Sequence, residues 1–264
     1  MFSPNSFNIS DWARLREIIT ILAKHGLGEF IVRIKLSTHR RLGFRYHADK
    51  KQQYFTAPQR LRMALEELGP TFIKLGQILS TRVDVFGHEW TDELAKLQSH
   101  VTPLSSTDIH TLLETQLGPL QQIFQNIDEQ PVGSASIAQV HRATLITGET
   151  VAIKIKRPDI ETVIAADLRI LNHLAQLIES EVPELRCYCP VQMVQYFSRS
   201  LSKETDFSLE QRNMERFSQL YQNQPNIHIP ETYPAYSNRQ ILVQEFIDHS
   251  LLKNTNLINW SAQQ

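Results

Sequence analysis

Apolar residues along this chain change their spacing near Pro131, and the change divides the chain into two kinds of pattern. Before it, the period is helical. Trp12, Leu15, Ile18, Ile19 and Leu22 fall on one stripe of a helix that opens after Ser10, a good N-cap residue, and closes near Gly26. A short helix is predicted from Leu27 to about Leu36, and another from Pro58 to Leu68 with Leu61, Leu65 and Leu68 on one face. Gly69-Pro70 ends that helix and starts the next, because the residue before a proline avoids the helical region while proline suits a first helical position. "EWTDELAKLQ" and "SSTDIHTLLETQL" predict two more helices, the second capped by Ser106 or Thr107. After Pro131 the apolar residues alternate. "SIAQVHRATL" and "TVAIKIKR" read as strands joined at "ITGE", where Gly148 makes a positive φ cheap. A helix from Pro158 to about Glu181 follows, then one long helix from Cys189 to Gln222, then closing strands in "NIHIPETYP" and "QILVQEFI". A helical block followed by a small antiparallel sheet with inserted helices is an α+β pattern.

Several residues break these patterns. Gly76 interrupts the helical run "FIKLGQILSTR", where glycine costs about 1 kcal/mol relative to alanine. It falls beside Phe72 on the apolar face of Phe72, Leu75 and Leu79, with Lys74, Gln77 and Thr81 opposite. The expectation is a helix pressed so closely on its neighbour that no side chain fits at 76. On the long helix, Val194, Phe197 and Leu201 form a stripe whose next member is Glu204, and Phe207, Met214, Phe217 and Tyr221 form another that includes Glu210. A carboxylate on an apolar stripe requires a cation or a polar cavity. The strand offers one, since alternation places Lys154 on the face of the small Ala152, opposite Val151, Ile153 and Ile155. Taken singly, each is an ordinary charge on an amphipathic element; taken together, they read as one shared site.

Composition narrows the alternatives. With 41% hydrophobic and 21% charged residues among 264, the chain can bury a proper core, and its formal net charge of -1 gives no global attraction to nucleic acid. The local exception is a basic run from Arg33 to Arg62 that includes Arg40, Arg41 and Arg45 and is interleaved with Phe44, Tyr46, Tyr54 and Phe55. It reads either as a solvated connector or as a patch for anionic lipid headgroups. The two cysteines, Cys187 and Cys189, are too few for a disulfide framework or a zinc site, and no histidine spacing suggests a ligand set, so no metal site is expected from this chain alone. No apolar run is long enough to span a bilayer and the N-terminus lacks a signal-peptide pattern, so the expected location is cytoplasmic, with peripheral attachment to the inner membrane as the alternative.

The stretch "PVGSASIAQV" followed by "VAIK" carries the most specific chemistry. Gly133, Ala135, Ala138 and Val140 stand at the offsets of the G-x-G-x-x-G-x-V loop that covers ATP phosphates in protein kinases, and Val151-Ala152-Ile153-Lys154 matches the strand that follows it. Together with "FIKLGQILSTR", "VAIKIKRPDI" and "KETDFSLEQRN", these residues closely resemble the UbiB family of atypical, AarF-domain kinase-like proteins, and the opening "LREIITILAKHGLGEFI" resembles its bacterial ubiquinone-biosynthesis branch.

The resemblance implies a kinase-like N-lobe over residues 126–250, preceded by a helical extension, 1–125, and followed by the truncated start of a C-lobe, 251–264. It implies that Lys74, Gly76 and Gln77 form a signature motif over the nucleotide and that residues 133 to 138, with Gly133, Ser134, Ala135 and Ser136, form an alanine-rich loop. Lys154 then contacts phosphate and pairs with Glu210, while Glu204 and Asp206 form a Glu-x-Asp pair with Glu204 opposite Lys74. Residues two apart on an ideal helix point nearly opposite ways, so Glu204 and Asp206 share a site only if the helix is irregular there. The strand "ILVQEFIDHS" brings the backbone of Glu245, Phe246 and Ile247 to adenine. The implied cofactor is ATP, with magnesium only once a C-lobe supplies the metal ligands. Three readings follow: the N-terminal portion of a kinase-like ATPase supporting ubiquinone biosynthesis, a non-catalytic binding module, or a non-functional remnant exposing Leu251, Leu252, Leu257, Ile258 and Trp260. The expected partners are a nucleotide, anionic lipid or ubiquinone-biosynthesis proteins, and either a second copy of the chain or the missing C-terminal half; nucleic acid is not expected.

Overall fold

The computed structural model describes residues 9–28, 54–97 and 103–248. In chain order the helices are α1 (Ile9–Lys24), α2 (Ala57–Leu68), α3 (Pro70–Leu79), α4 (Val83–Leu94), α5 (Ser106–Leu117), α6 (Ile160–Glu181), α7 (Pro190–Glu204) and α8 (Phe207–Tyr221). The strands are β1 (Phe124–Ile127), β2 (Gly133–Ser134), β3 (Ala138–Leu145), β4 (Thr150–Lys156) and β5 (Ile241–Glu245), ordered β1-β3-β4-β5 in the sheet with β2 also paired to β3. The fold is α+β with a small antiparallel sheet. The chain divides into two compact units, one of Met1–Ser105, Gly133–Gln139 and Lys156–Asp206, the other of Ser106–Val132, Val140–Ile155 and Phe207–Gln264.

The first unit is mainly helical. Leu15, Ile18 and Ile19 of α1, Leu65 and Leu68 of α2, Phe72 of α3, Leu94 of α4 and Ile170 and Leu171 of α6 share its apolar core with Phe197 and Leu201 of α7. The α1 stripe is the one the sequence predicts, although α1 runs from Ile9 and so encloses Ser10 instead of starting after it. At the start of α2, Thr56 accepts from Gln59 N while Gln59 Oε1 accepts from Thr56 N, a capping box that occupies both ends of the first turn. Gly69, at φ 95°, makes the corner into α3 in a conformation that only glycine adopts without strain.

Two arginine–carboxylate forks tie α1 to α6. Arg14 donates from Nε to Asp167 Oδ1 at 2.8 Å, and Arg169 donates to both oxygens of Asp11 at 3.0 and 2.7 Å. Both aspartates are fully buried. Arg14 also donates to the carbonyl of Leu68 at 2.6 Å, which occupies an acceptor at the C-terminal end of α2 and steadies the Gly69 corner.

The second unit contains β1, β5 and most of β3 and β4. Val151, Ile153 and Ile155 of β4 and Ile241, Leu242 and Val243 of β5 are all buried. The two strands run antiparallel with Lys154 opposite Leu242 and Ala152 opposite Gln244. Gly148 takes φ 104° in the β3–β4 turn, as its position in "ITGE" predicts.

Three expectations are corrected. The long helix is two helices, because α7 ends at Glu204 and α8 begins at Phe207. Thr205 Oγ1 turns back to the carbonyl of Ser202, and Phe207 N leaves the helical ladder to donate to the carbonyl of Arg239. "NIHIPETYP" is not a strand: it contributes a single bridge, Thr232 to Gln244, since Pro230 and Pro234 have no N–H to give a ladder. The "EWTDELAKLQ" helix is present as the part of α4 beyond the kink at Gly87, φ 68°, and it ends at Leu94. Phe217 and Tyr221, expected on a buried stripe, are exposed and stacked on each other with ring centroids 6.1 Å apart. The helix predicted from Leu27 to Leu36, most of the basic run and the apolar residues after 250 lie outside the described residues.

Candidate functional site

Within the second unit, β4 and the first turn of α8 bring two predicted residues, Lys154 and Glu210, together with Phe207. Lys154 Nζ donates to both oxygens of Glu210, at 3.0 and 2.7 Å, and lies 4.8 Å from the centroid of the Phe207 ring. Phe207 is buried, so the ring forms a fixed floor under the ammonium group. The side chains of Lys154 and Glu210 remain 31% and 39% exposed. An ion pair that open to solvent contributes about 0–1 kcal/mol, too little to be explained as a stabilising device. Its geometric effect is clearer: the bidentate carboxylate and the aromatic floor hold a lysine head group at one place beside the small Ala152. Such a held, accessible cation suits a phosphate oxygen.

In the first unit, Lys74 Nζ lies 2.5 Å from Glu204 Oε1. Glu204 is exposed, not buried on the stripe as its spacing suggests, because it is the last residue of α7. The break after it accounts for the Glu-x-Asp spacing: Thr205 caps α7 and Asp206 lies between α7 and α8, so the two carboxylates are not constrained to opposite sides of one helix. Gly76 is buried against Leu65 of α2 and against Leu94 and Leu97. A Cβ at 76 would overlap Leu97 and stand 2.8 Å from Leu65 Cδ1. The close approach inferred from the sequence is therefore present. Gln77, one residue on, reaches the carbonyl of Leu97 through Nε2 at 3.4 Å.

The alanine-rich loop turns inward at its tip. Gly133 and Ala135 are exposed and Ser134 is half-buried, whereas Ser136 and Ala138 are only 2% and 4% exposed. Ile137 lies in the core cluster that also contains Ile160 and Ile164 of α6. Ser136 and Ala138, expected to line phosphates, thus present almost no surface, and the accessible part of the loop is Gly133 to Ala135. Space at Gly133 is open, with no atom of the described residues, its chain neighbours aside, within 4 Å of a Cβ placed there. Val140 is half-buried on β3.

At the end of β5, the backbone N–H groups of two of the three residues expected at adenine are engaged within the chain. Glu245 N donates to the carbonyl of Glu231 at 2.7 Å and Phe246 N to that of Thr150 at 3.1 Å. The Glu245 carboxylate meets His228 Nε2 at 2.7 Å, and Arg142 covers the Phe246 ring at 5.1 Å. Ile247 is exposed. Among the described residues no three histidine, cysteine or carboxylate side chains converge as a magnesium site requires.

Two contributors escaped sequence reasoning. Phe207 was assigned to an apolar stripe, not to the floor beneath Lys154. Arg157, which ends "TVAIKIKR", donates from Nε to the carbonyl of Ala135 at 3.1 Å and from a terminal nitrogen to Ser134 Oγ at 2.8 Å. Burial holds its guanidinium below the ordinary arginine value, although it remains a cation. A signal existed, since Arg157 continues the phase of Val151, Ile153 and Ile155 where the pattern asks for an apolar residue.

The sequence profile described as the ABC1 atypical kinase-like domain matches residues 96–263. Relatives described as "Probable protein kinase UbiB" include those of Actinobacillus pleuropneumoniae serotype 7 (strain AP76), 38% identical over 244 residues, and Sodalis glossinidius (strain morsitans), 37% identical over 237 residues. Each match covers 89% of this chain but 44% of the relative, so the chain spans less than half the length of the relatives it matches. The solved structure titled as the complex of Rv3197 with erythromycin from Mycobacterium tuberculosis aligns with 73% of this chain and 48% of its own, at 27% identity and a TM-score of 0.49, a value that carries no argument about function.

Proposed function

Because this chain belongs to the family of the ABC1 atypical kinase-like domain, we propose that it supplies the phosphate-binding half of an ATP site in an atypical kinase or ATPase supporting ubiquinone biosynthesis. The observation that carries this reading is the accessible Lys154, held by Glu210 over Phe207. In this reading Lys154 meets a phosphate oxygen of ATP and Glu210 fixes the ammonium without neutralising it fully. By itself, the accessible edge Gly133 to Ala135 in the first unit is of the kind of loop that covers phosphates, and residues outside this chain provide the magnesium ligands and the catalytic carboxylate. ATP bound here supplies a transferable phosphoryl group. Lys154 neutralises and orients it, a contribution of positioning and charge. Partners drawn from ubiquinone-biosynthesis proteins or anionic lipid belong to the same reading.

The test is an NMR titration of the chain with ATP, with and without magnesium. A half-site built on one lysine should bind no tighter than about 1 mM, equivalent to roughly -4 kcal/mol, and Lys154→Ala should remove the response. Sub-micromolar affinity for magnesium-ATP would overturn the half-site reading. So would an ATP response unchanged in Lys154→Ala, or no Lys154-dependent response by about 10 mM ATP.

A further inference from the structure

We infer that Arg157 is the positioning residue of the alanine-rich loop, clamping Ser134 to Ile137 into one conformation before any nucleotide arrives. The clamp has three hydrogen bonds from one residue. Nε takes the carbonyl of Ala135, a terminal nitrogen takes Ser134 Oγ, and Arg157 N takes the carbonyl of Ile137 at 2.9 Å. Ala135 N closes the loop on itself by donating to the carbonyl of Ala138 at 2.8 Å. The polar backbone atoms at alternate positions of the turn are therefore occupied, as an inward-facing loop requires.

The rest of the loop is fixed by packing. Ser136, Ile137 and Ala138 are buried, and Ile137 joins the core with Ile160 and Ile164, which follow Arg157 by three and seven residues on the entry to α6. Arg157 is itself fixed from both sides: β4 ends at Lys156, and Pro158 follows with its φ locked by the ring. A glycine-rich phosphate loop gains its shape from backbone freedom. Here alanines remove that freedom, and a guanidinium with a planar fork of donors selects the shape instead. Lysine cannot reproduce this, because a single ammonium does not span a carbonyl and a hydroxyl in the fork geometry.

The inference rests on the proposed nucleotide reading only in naming the loop's task; the clamp itself is testable without nucleotide. Hydrogen exchange by mass spectrometry on the whole chain should show amides of residues 134–138 exchanging at least about tenfold faster in Arg157→Ala. Peptides from α1 and the centre of α6 should be unchanged. Arg157→Lys should behave like Arg157→Ala, and Ser134→Ala should reproduce part of the effect. Adding Ser134→Ala to Arg157→Ala should have no further effect, the non-additivity of two partners in one interaction. Loop exchange within twofold of the parent in Arg157→Ala would overturn the clamp. So would full protection in Arg157→Lys, or a rise in exchange spread equally over α1 and α6. Should Arg157→Ala not fold, Arg157→Lys and Ser134→Ala carry the test alone. Failure of the ATP titration with an intact exchange result would remove the nucleotide reading and leave the clamp standing.

Discussion

Lys74 Nζ and Glu204 Oε1, 2.5 Å apart, join the middle of α3 to the last residue of α7. A carboxylate at a helix C-terminus opposes the helix dipole, so Lys74 offsets an unfavourable placement. Both side chains are more than a quarter exposed, and the pair contributes no more than about 1 kcal/mol. Lys74→Ala should therefore lower urea stability by less than that amount. Glu204→Gln introduced into Lys74→Ala should recover part of the loss. A drop of several kcal/mol in the single variant would show that Lys74 has a structural task beyond the pair.

Gly76→Ala sets two effects against each other. Helix propensity favours alanine by about 1 kcal/mol, while overpacking a core costs about 1–3 kcal/mol. The leucine termini that an added methyl meets belong to buried side chains, so they cannot swing away freely. The expected outcome is net destabilisation of about 0–2 kcal/mol, with Gly76→Val clearly worse. Leu97→Ala should then be better tolerated beside Gly76→Ala than alone, measurable as a coupling in a double-mutant cycle.

Asp167 is fully buried with Arg14 as its fork partner. Asp167→Ala removes the fork but leaves Arg14 with Glu17 at 2.9 Å and the Leu68 carbonyl, and should cost about 2–3 kcal/mol by chemical denaturation. Replacing both partners, as Arg14→Met with Asp167→Leu, should be milder than Asp167→Ala. It should still fall short of the parent, because the Leu68 carbonyl also loses its donor. A double variant worse than either single one would contradict this.

Acid should weaken the first unit through two carboxylates. The hydrogen bond from Lys96, followed by desolvation acting the other way and then by Arg62, leaves Glu93 below its ordinary value of 4.5. Glu67 is lowered in the same manner, first by Lys24 and then, against desolvation, by His25. Each group binds its proton less readily when folded. The stability it adds is complete above 4.5 and disappears as pH falls through the depressed folded value. Urea midpoints followed downward from about pH 6 should fall steeply in that window, and less steeply in Glu93→Gln and Glu67→Gln.

Helices with a clean apolar stripe, such as α1 and α2, were legible because packing follows the stripe. The Gly76 contact was legible too, since only a close neighbour accounts for glycine on an apolar face. The break between α7 and α8 was not, because "KETDF" contains neither glycine nor proline. The signal lay in the phase: Phe207 sits ten residues past Phe197, a rotation of about 280° on an ideal helix, well off the stripe that Leu201 shares. Short β1 was missed because only Phe124 of its four residues is buried, which leaves no alternation to read. The inward turn of the loop depends on where Ile137 and Arg157 find partners, information that spacing within "GSASIAQV" does not hold.

The forks between α1 and α6 also bear on where this protein can be cut. The family profile starts at residue 96, yet α6, inside it, takes Arg14, Asp11, Ile18 and Ile19 as its companions from far upstream. An expression boundary drawn at the profile's edge would discard the counter-ion of a submerged aspartate along with one wall of a hydrophobic interior. The recombinant piece should aggregate, whereas versions that keep the first helix should not.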